Sequence, residues 1–162
     1  MKIHIDGQRV SLAELRAAWL SPTKVSIGES AAARVCESNA HIASVLAGGE
    51  QVYGVNTGFG QLAQVRVSDD ELAHLQENLV RSHAVGVGED LPDSCVRLIM
   101  ILKVIALARG CSGVRVALLE RLCDLINKEI YPCIPSKGSV GASGDLAPLA
   151  HMACTLIGAG SA

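Results

Sequence analysis

The sequence predicts a mainly α-helical protein with a small β-hairpin at its N-terminus. Three observations carry that expectation. Hydrophobic residues make up 49% of the 162 residues but aromatic ones only 2%, so the core is built from Leu, Ile, Val and Ala, a composition that favours helices. At Ser11–Glu14 and again at Ser68–Glu71, a serine stands three residues before a glutamate, the spacing of a capping box. Apolar residues then recur at helical spacing, as in Leu72, Leu75 and Leu79, or Leu118, Leu122, Leu125 and Ile126.

The elements follow in order. Lys2–Ile5 and Gln8–Val10 flank Asp6-Gly7, a two-residue hairpin signal. The Ser11 capping box opens a helix to about Leu20, stopped before Pro22. A second helix runs from about Glu29 to Ala47 and ends at Gly48-Gly49. Residues Gln51 to Gln61 are glycine-rich and irregular. A third helix starts at the Ser68 box, and Pro92 suits the first turn of a fourth that reaches Arg109, with Gly110 as its terminator. That fourth helix is apolar nearly all round, through Val96, Leu98, Ile99, Met100, Ile101, Leu102, Val104 and Ile105, so it needs cover from a larger body or from other subunits. A fifth runs from about Val114 to Ile130, Tyr131 to Ser143 is loop, and Leu146 to Ile157 is the last helix. There are no internal repeats or low-complexity segments.

Charge and cysteine usage bound the function. A net charge of −2 with scattered Lys and Arg gives no electrostatic case for nucleic acid or an anionic membrane. The longest apolar run, Val96 to Ala108, is interrupted by Arg97 and Lys103 and is too short to span a bilayer, and the first residues carry no apolar signal region. The six cysteines form no C-x-x-C pair, so they read as free thiols of a reducing cytoplasm, mostly small core residues, with no zinc knuckle and no metal site.

The chemistry concentrates near the C-terminal end, in Gly138-Ser-Val-Gly-Ala-Ser-Gly-Asp145. Three glycines in seven residues free the backbone around Ser143. Within Ala142-Ser143-Gly144, the Gly144 amide nitrogen can attack the Ala142 carbonyl carbon and close a five-membered ring. Loss of one water from that ring and of the Ser143 hydroxyl as a second would leave an alkene conjugated to the ring, an electrophile no ordinary side chain supplies. The same run also reads as a flexible turn before a helix or as an anion-binding loop. A serine nucleophile is a further reading, although Asp145 stands where the second glycine of a G-x-S-x-G elbow belongs. Spacing alone leaves these open.

The longer run from Tyr131 to His151 (YPCIPSKGSVGASGDLAPLAH) resembles the signature of the aromatic amino acid ammonia-lyases, in which Ala-Ser-Gly matures into 4-methylidene-imidazol-5-one (MIO). Tyr53-Gly-Val-Asn-Thr-Gly-Phe-Gly60 is similar to that family's tyrosine loop, and Asn78 to Gly88 to its substrate-selectivity segment. The resemblance covers essentially the whole chain, but only the N-terminal part of the much longer family members. It implies that residues 1–162 are a single N-terminal region of the helical, fumarase/aspartase-like ammonia-lyase fold, cut short at Ala162.

By the same resemblance Ala142, Ser143 and Gly144 form the MIO, Asp145 assists ring formation, and Tyr53 is the general base. Asp145 also stands where a helix begins, so plain N-capping is an equal reading of it. A phenol titrates near ~10 in water, so a tyrosine acting near neutral pH needs its anion stabilised by roughly 3–4 kcal/mol, in part by glycine-loop N–H donors. Asn56, Thr57 and Gly60 shape that loop. Ser82 and His83 stand where members contact the substrate ring, and Ser-His is the pair of histidine-specific members. On position alone, His83 reads as a histidine at a helix C-terminus. His4, His41 and His74 are ordinary surface or packing residues, and His151 supports the signature loop.

The implied reaction is elimination of ammonia from L-histidine to trans-urocanate, in a homo-oligomer that is a tetramer in the family. The alternatives are a tyrosine or phenylalanine ammonia-lyase, an aminomutase, or a non-catalytic fragment that keeps the motifs.

Overall fold

The computed structural model describes residues 1–57, 69–141 and 144–162, with side chains undescribed at 69–73. The expected capping box at Ser68–Glu71, the side chain of Leu72, and the site residues Gly60, Ala142 and Ser143 lie outside the described residues. The elements are β1 (Lys2–Ile5), α1 (Leu12–Leu20), β2 (Lys24–Ile27), α2 (Glu29–Ala47), α3 (Asp69–His83), β3 (Val87–Asp90), α4 (Asp93–Leu107), α5 (Val116–Asn127), β4 (Pro135–Lys137) and α6 (Leu146–Leu156). The protein is mainly α, as its composition predicts. No described helix is long and apolar enough to cross a membrane.

The chain divides into two compact units, Met1–Ala43 with Leu91–Tyr131, and Ser44–Asp90 with Pro132–Ala162. In the first, the capping box forms as read: Glu14 N donates to Ser11 Oγ at 3.2 Å and Ser11 N to Glu14 Oε2 at 2.8 Å. Helix α4 packs on α1 and α5, burying Val96, Met100, Ile101 and Val104 against a core that includes Ala18, Leu119, Leu122 and Ile126. Its opposite face is less covered, and Leu102 is 45% exposed. The cation buried on α4, Arg97, is satisfied by the C-terminal carbonyls of α1: Nε donates to Ala18 O at 2.6 Å and Nη2 to Trp19 O at 2.8 Å. Its guanidinium also lies 5.6 Å from the centre of the Tyr131 ring.

The N-terminal hairpin does not form. β1 pairs in parallel with β2, Ile3 opposite Val25, and Gln8–Val10 is not a strand. The chain bends at Asp6-Gly7, with Gly7 at φ +94, but the Asp6 side chain is drawn to the start of α2. Its Oδ1 accepts from Ala31 N at 2.8 Å and Ser30 Oγ at 2.6 Å, which satisfies a first-turn amide of that helix. The strand edge that a hairpin would have used is taken instead by β2, whose Val25 backbone is held on its other side by the Asn127 side chain at 2.7 and 2.9 Å.

In the second unit, α3 packs on α6, and β3 pairs antiparallel with β4. These two strands were not expected: β4 falls in the segment read as loop, and the pair is short, mostly exposed and without alternating apolar residues. Only two of the six cysteines, Cys123 and Cys154, are buried, so the expectation of mostly core thiols is corrected; Cys36 and Cys111 are exposed.

Candidate active site

Every described residue among the expected site residues lies in the second unit. Tyr53 opens a turn, 64% exposed, in which Val52 O accepts from Val55 N at 3.0 Å and Asn56 N at 3.2 Å. Asn56, 4% exposed, locks this turn from inside. Its Oδ1 accepts from Val52 N at 2.8 Å and its Nδ2 donates to Glu50 O at 2.9 Å. Thr57 Oγ1 accepts from Gly54 N at 3.2 Å, and Gly54 sits at φ +71, where a side chain would be strained. The outer side of the turn is held by Gln76 of α3, whose Nε2 donates to Val55 O at 2.8 Å. Sequence reading missed Gln76, because a polar residue on an exposed helix face carries no local signal.

Helix α3 ends in Ser82-His83, as expected. Ser82 Oγ donates to Leu79 O at 3.1 Å, and His83 Nδ1 lies 2.7 Å from the same oxygen. A carbonyl only accepts, so Nδ1 carries the proton and, in the neutral ring, Nε2 is the acceptor nitrogen. His151, in the same unit, is fixed in the same tautomer. Gly86 N donates to His151 Nε2 at 3.0 Å, so that nitrogen is bare and neutral His151 carries its proton on Nδ1. A Cβ at Gly86 would stand 3.0 Å from His151 Nε2 and 3.2 Å from Pro135 Cβ, so glycine is what lets this segment approach α6. His151 therefore supports the chain next to Ser82-His83.

At the signature loop, Gly144 is at φ +77 and Asp145 at φ +40, two consecutive left-handed residues directly before α6. Asp145 makes no side-chain cap of α6; its Oδ1 instead accepts from Ser139 Oγ, folding the loop back on itself. Among the described residues, no non-adjacent atom comes within 4 Å of a Cβ built at Gly144.

The three segments are joined through α3. It carries Ser82-His83 at its end, fastens the Tyr53 turn through Gln76, and packs on α6, which Asp145 directly precedes. An open cleft of about 440 Å³ in the same unit, lined by Arg81, Asp90, Cys133, His151 and Cys154 among others, contains none of Tyr53, His83 or Asp145. No group of three potential metal ligands exists among the described residues.

One helical unit thus carries the tyrosine turn, the Ser-His helix end and the helix that follows the glycine-rich run, the segments whose sequence resembles the aromatic amino acid lyases. The chain belongs to that family: the aromatic amino acid lyase model matches residues 10–162. It is 51% identical over 160 residues to histidine ammonia-lyase of Salmonella arizonae, covering 99% of this chain and 32% of that protein. Among solved structures it is similar to tyrosine aminomutase from Streptomyces globisporus, with 34% identity and a TM-score of 0.89 over 98% of this chain and 30% of that one. Histidine ammonia-lyase from Trypanosoma cruzi matches with 32% identity and a TM-score of 0.84, again over 98% and 30%. The chain thus spans about a third of the length of the curated relatives it matches.

Proposed function

We propose that this chain is the N-terminal region of a histidine ammonia-lyase that converts L-histidine to trans-urocanate and ammonia. The observation that carries the substrate is the Leu79 carbonyl fixing His83 with its proton on Nδ1. An imidazole at this position can hydrogen-bond a polar substrate ring, which an apolar side chain cannot. The 51% identity to histidine ammonia-lyases supports the same reading.

In this reading Ala142, Ser143 and Gly144 hold the MIO, which supplies an electrophilic carbon for the substrate amine and so makes nitrogen a better leaving group. The chain's own residues do the rest. Tyr53 takes the proton from the β-carbon, the electrons of that bond form the Cα–Cβ double bond, and the C–N bond breaks to release the amine. The proton on Tyr53 then leaves with ammonia, which restores the base. Asn56, Thr57 and Gln76 hold the Tyr53 turn, with Gly60 as a further loop-shaping residue, so that little reorganisation is needed at the moment of transfer. Ser82 and His83 fix the substrate ring, and Asp145 acts in ring closure. The whole protein is then a cytoplasmic homo-oligomer, a tetramer in the family. The exposed thiols of Cys36 and Cys111 suit a reducing compartment.

The likeness to tyrosine aminomutase supports a second reading, in which the same segments act on L-tyrosine. Incubating the protein with each amino acid separates the two. Urocanate from L-histidine is expected; turnover of L-tyrosine with none of L-histidine overturns the substrate assignment. No product from either, with residues 142–144 unmodified, makes the chain a non-catalytic member.

A further inference from the structure

The first unit carries an open groove of about 510 Å³ whose walls include Arg9, Arg34 and Arg109, with the half-buried Val10 and Ile105 as apolar lining. None of these guanidinium groups has an ion-pair partner among the described residues. The nearby carboxylate of Asp6 is occupied by Ser30 Oγ and Ala31 N at 2.6 and 2.8 Å. The groove thus presents three guanidinium groups, of which Arg34 is held by hydrogen bonds.

Arg34 is held in place rather than free to wander. Nη1 donates to Ser30 Oγ at 3.2 Å and Nη2 to Ala108 O at 3.4 Å, which use two of its five N–H groups. Two glycines make room for it. A Cβ at Gly7 would stand 3.1 Å from Arg34 Nη2, and one at Gly110 only 2.8 Å from Arg34 Cβ and its carbonyl oxygen. Arg9 and Arg109 are exposed and line the same groove. A fork of planar donors around an apolar floor suits a tetrahedral dianion that carries an organic group, because guanidinium pairs bidentately with phosphate oxygens while the floor accepts carbon.

We propose that this groove binds a small phosphate monoester, with Arg34 as the fixed anchor and Arg9 and Arg109 closing on the other oxygens. The site is independent of ammonia elimination, and its test is a binding measurement alone. Phenyl phosphate is titrated by calorimetry at low salt into the protein, into Arg9→Ala/Arg109→Ala and into Arg109→Glu, with circular dichroism confirming the fold of each. The expected result is one saturable site per chain, tighter than for inorganic phosphate. Binding should weaken at least about tenfold in the double variant and fall as salt rises. Equal affinity in wild type and both variants, no saturation by phenyl phosphate, or phenyl phosphate no tighter than inorganic phosphate would each overturn the proposal.

Discussion

Nδ1 of His83 and the carbonyl oxygen of Leu79 lie 2.7 Å apart, one helical turn from each other at the end of α3. The bond settles both the rotation of the imidazole and its tautomer. Replacing the ring by an apolar side chain of similar reach removes the acceptor but leaves the helix intact. His83→Leu is therefore expected to lower kcat/KM for L-histidine by about 10–100-fold, the worth of a buried polar contact to the substrate. Ser82→Ala removes only a second donor to the same carbonyl and should cost less than about fivefold. Steady-state kinetics of urocanate formation checks both.

Gln76 touches the Tyr53 turn through its backbone, so its effect should appear in the chemistry more than in binding. Gln76→Ala is expected to lower kcat about three- to tenfold with KM nearly unchanged, in line with one hydrogen bond worth about 1 kcal/mol. Gln76→Glu places a carboxylate against the carbonyls of Gly54 and Val55 and should be worse than alanine. A KM change larger than the kcat change would show that Gln76 acts on substrate binding instead.

Asp6 gives an acid-dependent term in stability. The Ser30 hydroxyl, and then the Ala31 N–H, hold its carboxyl below the ordinary value of 3.8. The folded state therefore prefers the carboxylate more than the unfolded chain does. That stabilisation is complete above about pH 5 and is lost as pH falls through the lowered folded value. Asp6→Asn should lower the urea midpoint at neutral pH, and the gap to wild type should close below about pH 4.

The cysteines should sort by environment. Burial, and then the carboxylates of Asp124 and Glu120, push the Cys123 thiol up to about 11, while Cys36 and Cys111 are exposed. Alkylation at about pH 8 should label Cys36 and Cys111 first and Cys123 only on unfolding, because the thiolate is the reacting species. Peptide mapping of partly labelled protein reads the order.

The helices were legible because their signals are local. Ser11 and Glu14 cap as their spacing says, the helix read from Glu29 to Ala47 has those same ends, and α4, read to Arg109, ends two residues earlier at Leu107, before Gly110 at φ +73. What failed was decided at a distance. Asp6-Gly7 has the chemistry of a hairpin turn, yet the Asp6 carboxylate is claimed by Ser30 and Ala31, residues 24 and 25 further along, and β1 takes Lys24–Ile27 as its partner. The β3–β4 pair has no buried face and so left no alternating pattern to read. At the candidate site, Tyr53, Asn56, Ser82, His83 and Asp145 were singled out by motif resemblance alone. Gln76 and the Gly86–His151 bond were not, since each matters only through a partner 21 or 65 residues away.

The central claim is that residues 142–144 mature into an electrophile that serves ammonia elimination from L-histidine. Mass spectrometry of the peptide containing Ala142, Ser143 and Gly144, taken from protein assayed for urocanate, tests it most directly. The account predicts a mass lower than the unmodified sequence by two waters, about 36 Da, in protein that forms urocanate, and the full unmodified mass in Ser143→Ala. An unmodified peptide in protein that forms no urocanate would contradict it.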